Sequence, residues 1–231
     1  MRVSSYKAYI DTLTKISKAI TSDLYLEDVL RLVVSLTASV MKAKICSLWL
    51  LDKEAGTLKI RATQAMDKEY LKERILKVGE GVVGKVAKKK KILAIYNVLE
   101  DKDYKEKELA KKLGLISMLS VPMMLKSKVV GVINCYTVEP YKFTKNDKDM
   151  VSTVANQAAV AIENTELMVQ SQIVKEELAS RKKIERAKGI LMKQRKLSED
   201  EAYALIRKTS MNKRLPMKDV SEAIILSYEV K

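Results

Sequence analysis

The residues best suited to chemistry lie near the C-terminal end, in Ile184-Glu185-Arg186-Ala187-Lys188-Gly189-Ile190-Leu191-Met192. Ile184, Ala187, Ile190 and Leu191 recur at helical spacing and face a core. Arg186 and Lys188 straddle that stripe and point elsewhere. Gly189 sits mid-helix, where glycine costs about 1 kcal/mol against alanine. It is therefore expected to serve a close helix crossing or the close approach of a ligand's backbone. Lys193, Arg195 and Lys196 extend the positive field. A second helix opens at Ser198, which forms a reciprocal capping box with Glu201, and it carries Tyr203, Arg207 and Lys208. Leu205 and Ile206 of that helix face inward. Lys213 and Arg214 lie ahead of a third helix that opens near Pro216. The acidic residues Glu199, Asp200, Glu201, Asp219 and Glu222 sit at helix starts, where the helix dipole favours them. This segregation leaves a cationic face suited to a polyanion, with a solvated surface as the plain alternative. Tyr203 reads equally as a platform for an unpaired base and as an ordinary core aromatic.

The composition narrows the chemistry. Lys and Arg number 44 against 29 Asp and Glu, a formal charge of +15 that favours an anionic partner. There is no histidine, which excludes a His-based triad, a His metal ligand, a His-ligated haem and a phospho-accepting His. Cys46 and Cys135 stand singly in apolar runs and read as buried small hydrophobes, a paired redox switch being the sharper alternative. Such sparse cysteine fits a reducing cytoplasm. No run approaches the ~18 apolar residues of a membrane span, and no signal peptide is seen at the start. No metal site and no membrane association are expected.

The elements that must position these residues follow from periodicity. Ser4 and Ser5 can cap a first helix with Tyr6, Tyr9, Leu13, Ile16 and Ile20 on one face. Thr21, Ser22 and Asp23 break it and offer caps for a second, from Leu26 to Met41. Ala43 to Leu51 and Thr57 to Ala65 form a hairpin around Lys53-Glu54-Ala55-Gly56. Met66 to Lys77 reads as a short helix. Gly79, Gly81 and Gly84 precede Lys85, but the spacing is not that of a phosphate-binding P-loop. They suit a tight turn into a helix beginning near Val82. Lys91 to Ile95 is a strand, Tyr96 to Tyr104 a polar loop and Glu106 to Leu113 a short helix. Ile116 to Leu125 and Val129 to Thr137 form a second hairpin, in which Gly131 marks a bulge or a close approach. Thr144 and Asp147 form a capping box that opens a long helix. Neither proline nor glycine occurs from Tyr141 to Lys188. Its apolar and small residues keep spacings of three and four, the pattern of a dimer-forming helix that carries a signal. The fold class is α+β, an antiparallel sheet with flanking helices, joined by a long helix to an all-α three-helix module.

The upstream part resembles a GAF domain. The likeness rests on Gly79 to Ala87, Leu119-Ser120-Val121-Pro122-Met123, Val130-Gly131-Val132-Ile133-Asn134, Phe143 to Asp147, and Ala158 to Asn164. The resemblance implies a sheet of five or six strands, a ligand pocket on one face, and helices that pair with a second copy. It does not name the ligand. The signature of cyclic-nucleotide-binding members cannot be assembled here, and neither cysteine is placed for a bilin. A pocket on such a sheet would draw on Cys46, Trp49, Arg61, Met118, Ser120, Asn134 and Tyr136, some of which strand alternation must assign to plain core.

The terminal part resembles an ANTAR domain through Ile184 to Met192, Leu197 to Tyr203, Leu205 to Lys208, and Leu215 with Asp219 to Ile225. This resemblance implies a three-helix RNA-binding module that acts in transcription antitermination by holding paired small hairpins of a leader transcript. The chain departs from the pattern at Ser210-Met211, where family members often have Ala-Met, and in carrying a GAF-like domain where a phospho-receiver is usual. The expected organisation is an N-terminal helix (1–23), a sensor domain (24–168), a connecting and dimerising helix (144–180) and an RNA-binding module (174–231). Arg186, Lys188, Gly189, Lys193, Arg195, Tyr203, Arg207, Lys208, Lys213 and Arg214 are the expected RNA contacts. The expected protein is a ligand-responsive, cytoplasmic, homodimeric antiterminator and not an enzyme. A DNA-binding regulator is the first alternative, since three small helices also describe a helix-turn-helix. A cysteine-dependent redox enzyme is the second, opposed by the lack of basic neighbours that would lower a thiol pKa.

Overall fold

The computed structural model describes residues 6–22, 24–67, 70 and 74–229. The expected caps Ser4, Ser5 and Asp23 lie outside that range, as do 68, 69 and 71–73 of the expected short helix. The described chain forms two compact units, Met1–Thr165 and Glu166–Lys231.

In the first unit, α1 (Tyr6–Ile20) and α2 (Leu26–Met41) lead into β1 (Ile45–Asp52) and β2 (Thr57–Thr63). Thr21 and Ser22 do not cap α2. Their hydroxyls donate back to carbonyls of α1, Thr21 to Ser17 at 3.2 Å and Ser22 to Ala19 at 2.7 Å, so they close the first helix. The residue that enters α2 is Tyr25, which is extended and offers no side-chain cap. The expected helix over Met66–Lys77 is corrected at its end: Ile75–Lys77 is a strand, β3, paired antiparallel on β2 with Lys77 opposite Thr57. Helix-forming residues there yield to the hydrogen bonds that an open sheet edge supplies.

The chain continues with α3 (Gly81–Lys89), β4 (Leu93–Ile95), α4 (Lys107–Leu113), β5 (Ser117–Leu125) and β6 (Lys128–Thr137). The six strands lie in the order β3-β2-β1-β6-β5-β4, antiparallel throughout. At Gly131 a Cβ would fall 2.1 Å from the Trp49 carbonyl oxygen, so the close approach expected there is real. Gly84 packs as tightly, 2.3 Å from the Lys77 carbonyl oxygen, which seats α3 against the start of its own loop.

Two apolar layers sandwich the sheet. On one face α1, α2 and the first turns of α5 (Lys145–Arg195) cover Cys46, Leu48, Ala62, Leu119, Val121, Ile133 and Cys135. On the other, α3, α4 and loops cover Ile45, Trp49, Leu58, Met118, Val132 and Tyr136. The Thr144–Asp147 box opens α5: the Thr144 N–H donates to Asp147 Oδ2 at 2.8 Å and the Asp147 N–H to Thr144 Oγ1 at 3.2 Å. The division between the units falls inside this helix.

The second unit packs the end of α5 with α6 (Glu199–Lys213) and α7 (Met217–Glu229) around Ala187, Ile190, Leu191, Ala202, Ile206, Val220 and Ile225. The Ser198–Glu201 capping box forms as expected. Ser210 closes the turn between α6 and α7: its hydroxyl donates to the Leu215 carbonyl at 2.6 Å, and its own carbonyl accepts from the Leu215 N–H at 3.1 Å. A serine at this position thus supplies a bond that alanine cannot.

Candidate nucleic-acid interface and sensor face

In the terminal unit the cations divide by partner. Lys188 is 6% exposed. Its Nζ donates to Glu185 at 2.9 and 3.1 Å and to Glu199 at 2.7 Å, so it ties α5 to the start of α6. The Glu199 bond, followed by that to Glu185, raises the Lys188 pKa, and the same contact lowers that of Glu199. A lysine so enclosed gives its three donors to carboxylates of its own chain, unlike the exposed cations expected beside it as contacts. Arg186 is exposed and pairs with Glu229 of α7, and Lys183 pairs with Glu222 at 2.9 Å. Both pairs fasten α7 along α5.

Lys193, Arg195, Arg207, Lys208, Lys213 and Arg214 are all exposed. None of them has an ion pair among the described residues. Arg195 and Lys213, the last residues of α5 and α6, are brought to one cleft of about 340 Å³, whose floor includes Leu191, Ile206 and Val220. Tyr203 is not core: it is 44% exposed and lines a second cleft with Ile184 and Arg181. Arg181 was not among the expected contacts, because only the packing of α6 on α5 sets it beside the tyrosine. At Gly189 a Cβ would meet nothing within 4 Å, so no helix crossing among the described residues accounts for this glycine.

On the sheet the seven expected ligand-site residues separate. Trp49, Met118, Ser120, Asn134 and Tyr136 share the face beneath α3 and α4, with Ser47, Asn134 and Ser120 in one cross-strand row. Cys46 lies on the opposite face, because successive strand residues alternate. Arg61, at the bulge between β1 and β2, pairs with Glu27 of α2 and is also turned from the row. Cys46 and Cys135 face each other across β1 and β6 with sulfurs 3.8 Å apart, both wholly buried. The Cys135 thiol and burial together push the Cys46 pKa well up, so Cys46 is not a poised nucleophile, and Cys135 is equally shut away from solvent.

The face that these five share is roofed by residues that sequence reasoning did not single out. The Tyr70 hydroxyl donates to Ser47 Oγ at 2.9 Å, and burial pushes its pKa up to about 12. Arg74 stacks over the Tyr70 ring at 4.4 Å and the Trp49 ring at 5.8 Å, and it pairs with Glu106. Tyr104 and Tyr136 meet edge to face. Within this aromatic box three buried donors, Trp49 Nε1, Arg74 Nε and Asn134 Nδ2, have no hydrogen-bond partner among the described residues. Buried polar groups are rarely left so.

The first unit is similar to solved GAF domains. That from an Acinetobacter phosphoenolpyruvate-protein phosphotransferase superposes with a TM-score of 0.61 at 26% identity, covering 70% of this chain and 97% of that one. The nitrogen fixation protein AnfA of Azotobacter vinelandii is 28% identical over 155 residues, 65% of this chain and 29% of AnfA. A methyl sulfide methyltransferase-associated sensor of Methanosarcina acetivorans is 27% identical over 157 residues, 66% of this chain and 16% of the sensor. The chain thus spans less than a third of either relative. Among the described residues no helix is long and apolar enough to cross a membrane. The family model of the GAF domain matches residues 25–162 and that of the ANTAR domain residues 172–225. The chain therefore belongs to the GAF family, with an ANTAR domain following its GAF domain.

Proposed function

We propose that this protein is a ligand-responsive regulator of transcription antitermination, whose ANTAR domain binds paired small hairpins in a leader RNA. The observation that carries the reading is the set of exposed, unpaired cations where α5 and α6 end, on a module of this family. Phosphate contacts by such cations supply affinity without reading sequence. Tyr203, exposed beside Arg181, adds a surface on which an unpaired base stacks.

The sensor half supports a small-molecule effector that carries hydrogen-bond acceptors. The three unpartnered donors of the aromatic box would be satisfied by such a ligand. A ligand shifts the protein only if it binds one state better than another. A homodimer is the proposed frame for this. On α5, residues 166–179 are all exposed and include Leu167, Met168, Val169, Ile173, Val174 and Leu178. An apolar helical stretch left bare in one chain is a surface for a second copy.

Competition binding tests the central claim. The full chain is expected to prefer stem-loop RNA, selected from a pool with randomised loops, over duplex DNA of equal charge, with affinity falling steeply as salt rises. Equal or better binding to the duplex would favour the DNA-binding alternative.

A further inference from the structure

The cleft between α5, α6 and α7 has a lining that phosphate binding does not require. Leu191, Ile206 and Val220 form an apolar floor. Arg195 and Lys213 stand at its rim, together with one carboxylate, Asp219. None of these three side chains has a hydrogen bond or ion pair among the described residues, although all line the same opening. A cleft meant only for the backbone would gain nothing from an apolar floor, and the carboxylate would oppose it. A cleft meant for an aliphatic side chain would gain nothing from three unpaired charges.

We infer that this cleft receives one unpaired nucleobase of the RNA loop, and that the base carries an amino group. This rests on the RNA-binding reading above. The flat faces of the base lie on the aliphatic floor, and Arg195 and Lys213 hold the phosphates on either side of it. Asp219 Oδ accepts from the amino group on the base's pairing edge, as carboxylates do when they read cytosine N4. Adenine, cytosine and guanine offer such a donor. Uracil has no amino group: its pairing edge offers one ring N3–H set between two carbonyl oxygens, which a carboxylate repels.

The test uses the full chain and a stem-loop RNA selected from a pool with randomised loops. Each loop position is replaced in turn by an abasic nucleotide and by uracil. One position is expected at which either replacement weakens binding about tenfold, in the range of single-base stacking and edge contacts. Ala223, exposed on α7, lines the cleft, so Ala223→Leu fills it without touching a charge. In Ala223→Leu the abasic and intact RNAs should bind alike, while the salt dependence stays that of the parent, since no phosphate contact is lost. Asp219→Asn should abolish the discrimination against uracil alone. Thermal unfolding followed by circular dichroism confirms that both variants fold.

If the parent chain binds the RNA and no position behaves this way, or if Ala223→Leu keeps the full sensitivity, the base pocket is overturned and RNA binding stands. If the parent chain binds no stem-loop, the functional reading falls and the pocket with it.

Discussion

Lys183, Arg186 and Lys188 each meet a carboxylate, whereas Lys193, Arg195, Lys213 and Arg214 meet none among the described residues. The first group lies where α5 runs alongside α7 and the start of α6, and the second where α5 and α6 end. The residue type is the same and the work differs. In the first group a positive charge joins helices to each other. In the second it is left for something outside the chain. A count of cations along the terminal module cannot separate these roles, because Glu229 reaches Arg186 from 43 residues away, and Glu199, which joins Glu185 on Lys188, from 11.

The largest effect should come from the unpaired group. Neutralising Lys193, Arg195, Lys213 and Arg214 together to Gln should flatten the slope of log affinity against log salt by about three to four, if each meets a phosphate. Affinity for a selected stem-loop at physiological salt should fall on the order of a hundredfold or more. Denaturant unfolding should move little, within about 0.5 kcal/mol for each surface change. An unchanged slope would place the RNA elsewhere.

Gly189→Ala comes next, and its two readouts should oppose each other. The helix gains about 1 kcal/mol, since a methyl group at that point meets open space. RNA affinity should nevertheless drop several-fold if the RNA backbone approaches the bare Cα. A variant both more stable and as tight a binder would leave the glycine without a role in recognition.

The Lys188 bridge has a pH signature. Glu199 has a lowered pKa in the folded chain, so its contribution is present above the ordinary carboxylate pKa and is lost as pH falls through the lowered value. Lys188 has a raised pKa, so its part persists below the ordinary lysine value and is lost at alkaline pH, above the raised one. Glu199→Gln should therefore be less stable than the parent at pH 7. The gap should close as the parent's own carboxyl protonates, below about pH 4. A gap of constant size from pH 7 to pH 3 would mean the bridge is not what Glu199 provides.

The smallest change belongs to Arg186→Gln. Exposed ion pairs contribute about 0–1 kcal/mol, and Arg186 with Glu229 is such a pair. Stability should barely move. A drop in RNA affinity larger than that of any single member of the unpaired group would show that Arg186 exchanges Glu229 for a phosphate, which would erase the division between the groups.

Much of this was legible in the residues. The boxes Thr144–Asp147 and Ser198–Glu201 involve partners three positions apart, and local spacing suffices to find them. Gly131 announced its close approach because no other residue type fits beneath a neighbouring carbonyl. Strand alternation, applied strictly, would have removed Cys46 from the ligand face. What stayed hidden depended on distant segments. Ile75–Lys77 is a strand only because β2 leaves an edge open, and Tyr70 and Arg74 reach the sensor face from a stretch whose composition suggests a helix. Lys188 looks like its exposed neighbours until Glu199 is folded onto it.

The two native sulfurs, both sealed within the sheet, leave the surface effectively thiol-free to a maleimide at neutral pH. A single cysteine introduced at an exposed site such as Gln194 would then take a dye alone, on the otherwise native chain. Fluorophores placed along the end of α5 could report, in real time, where on the protein a transcript first touches down.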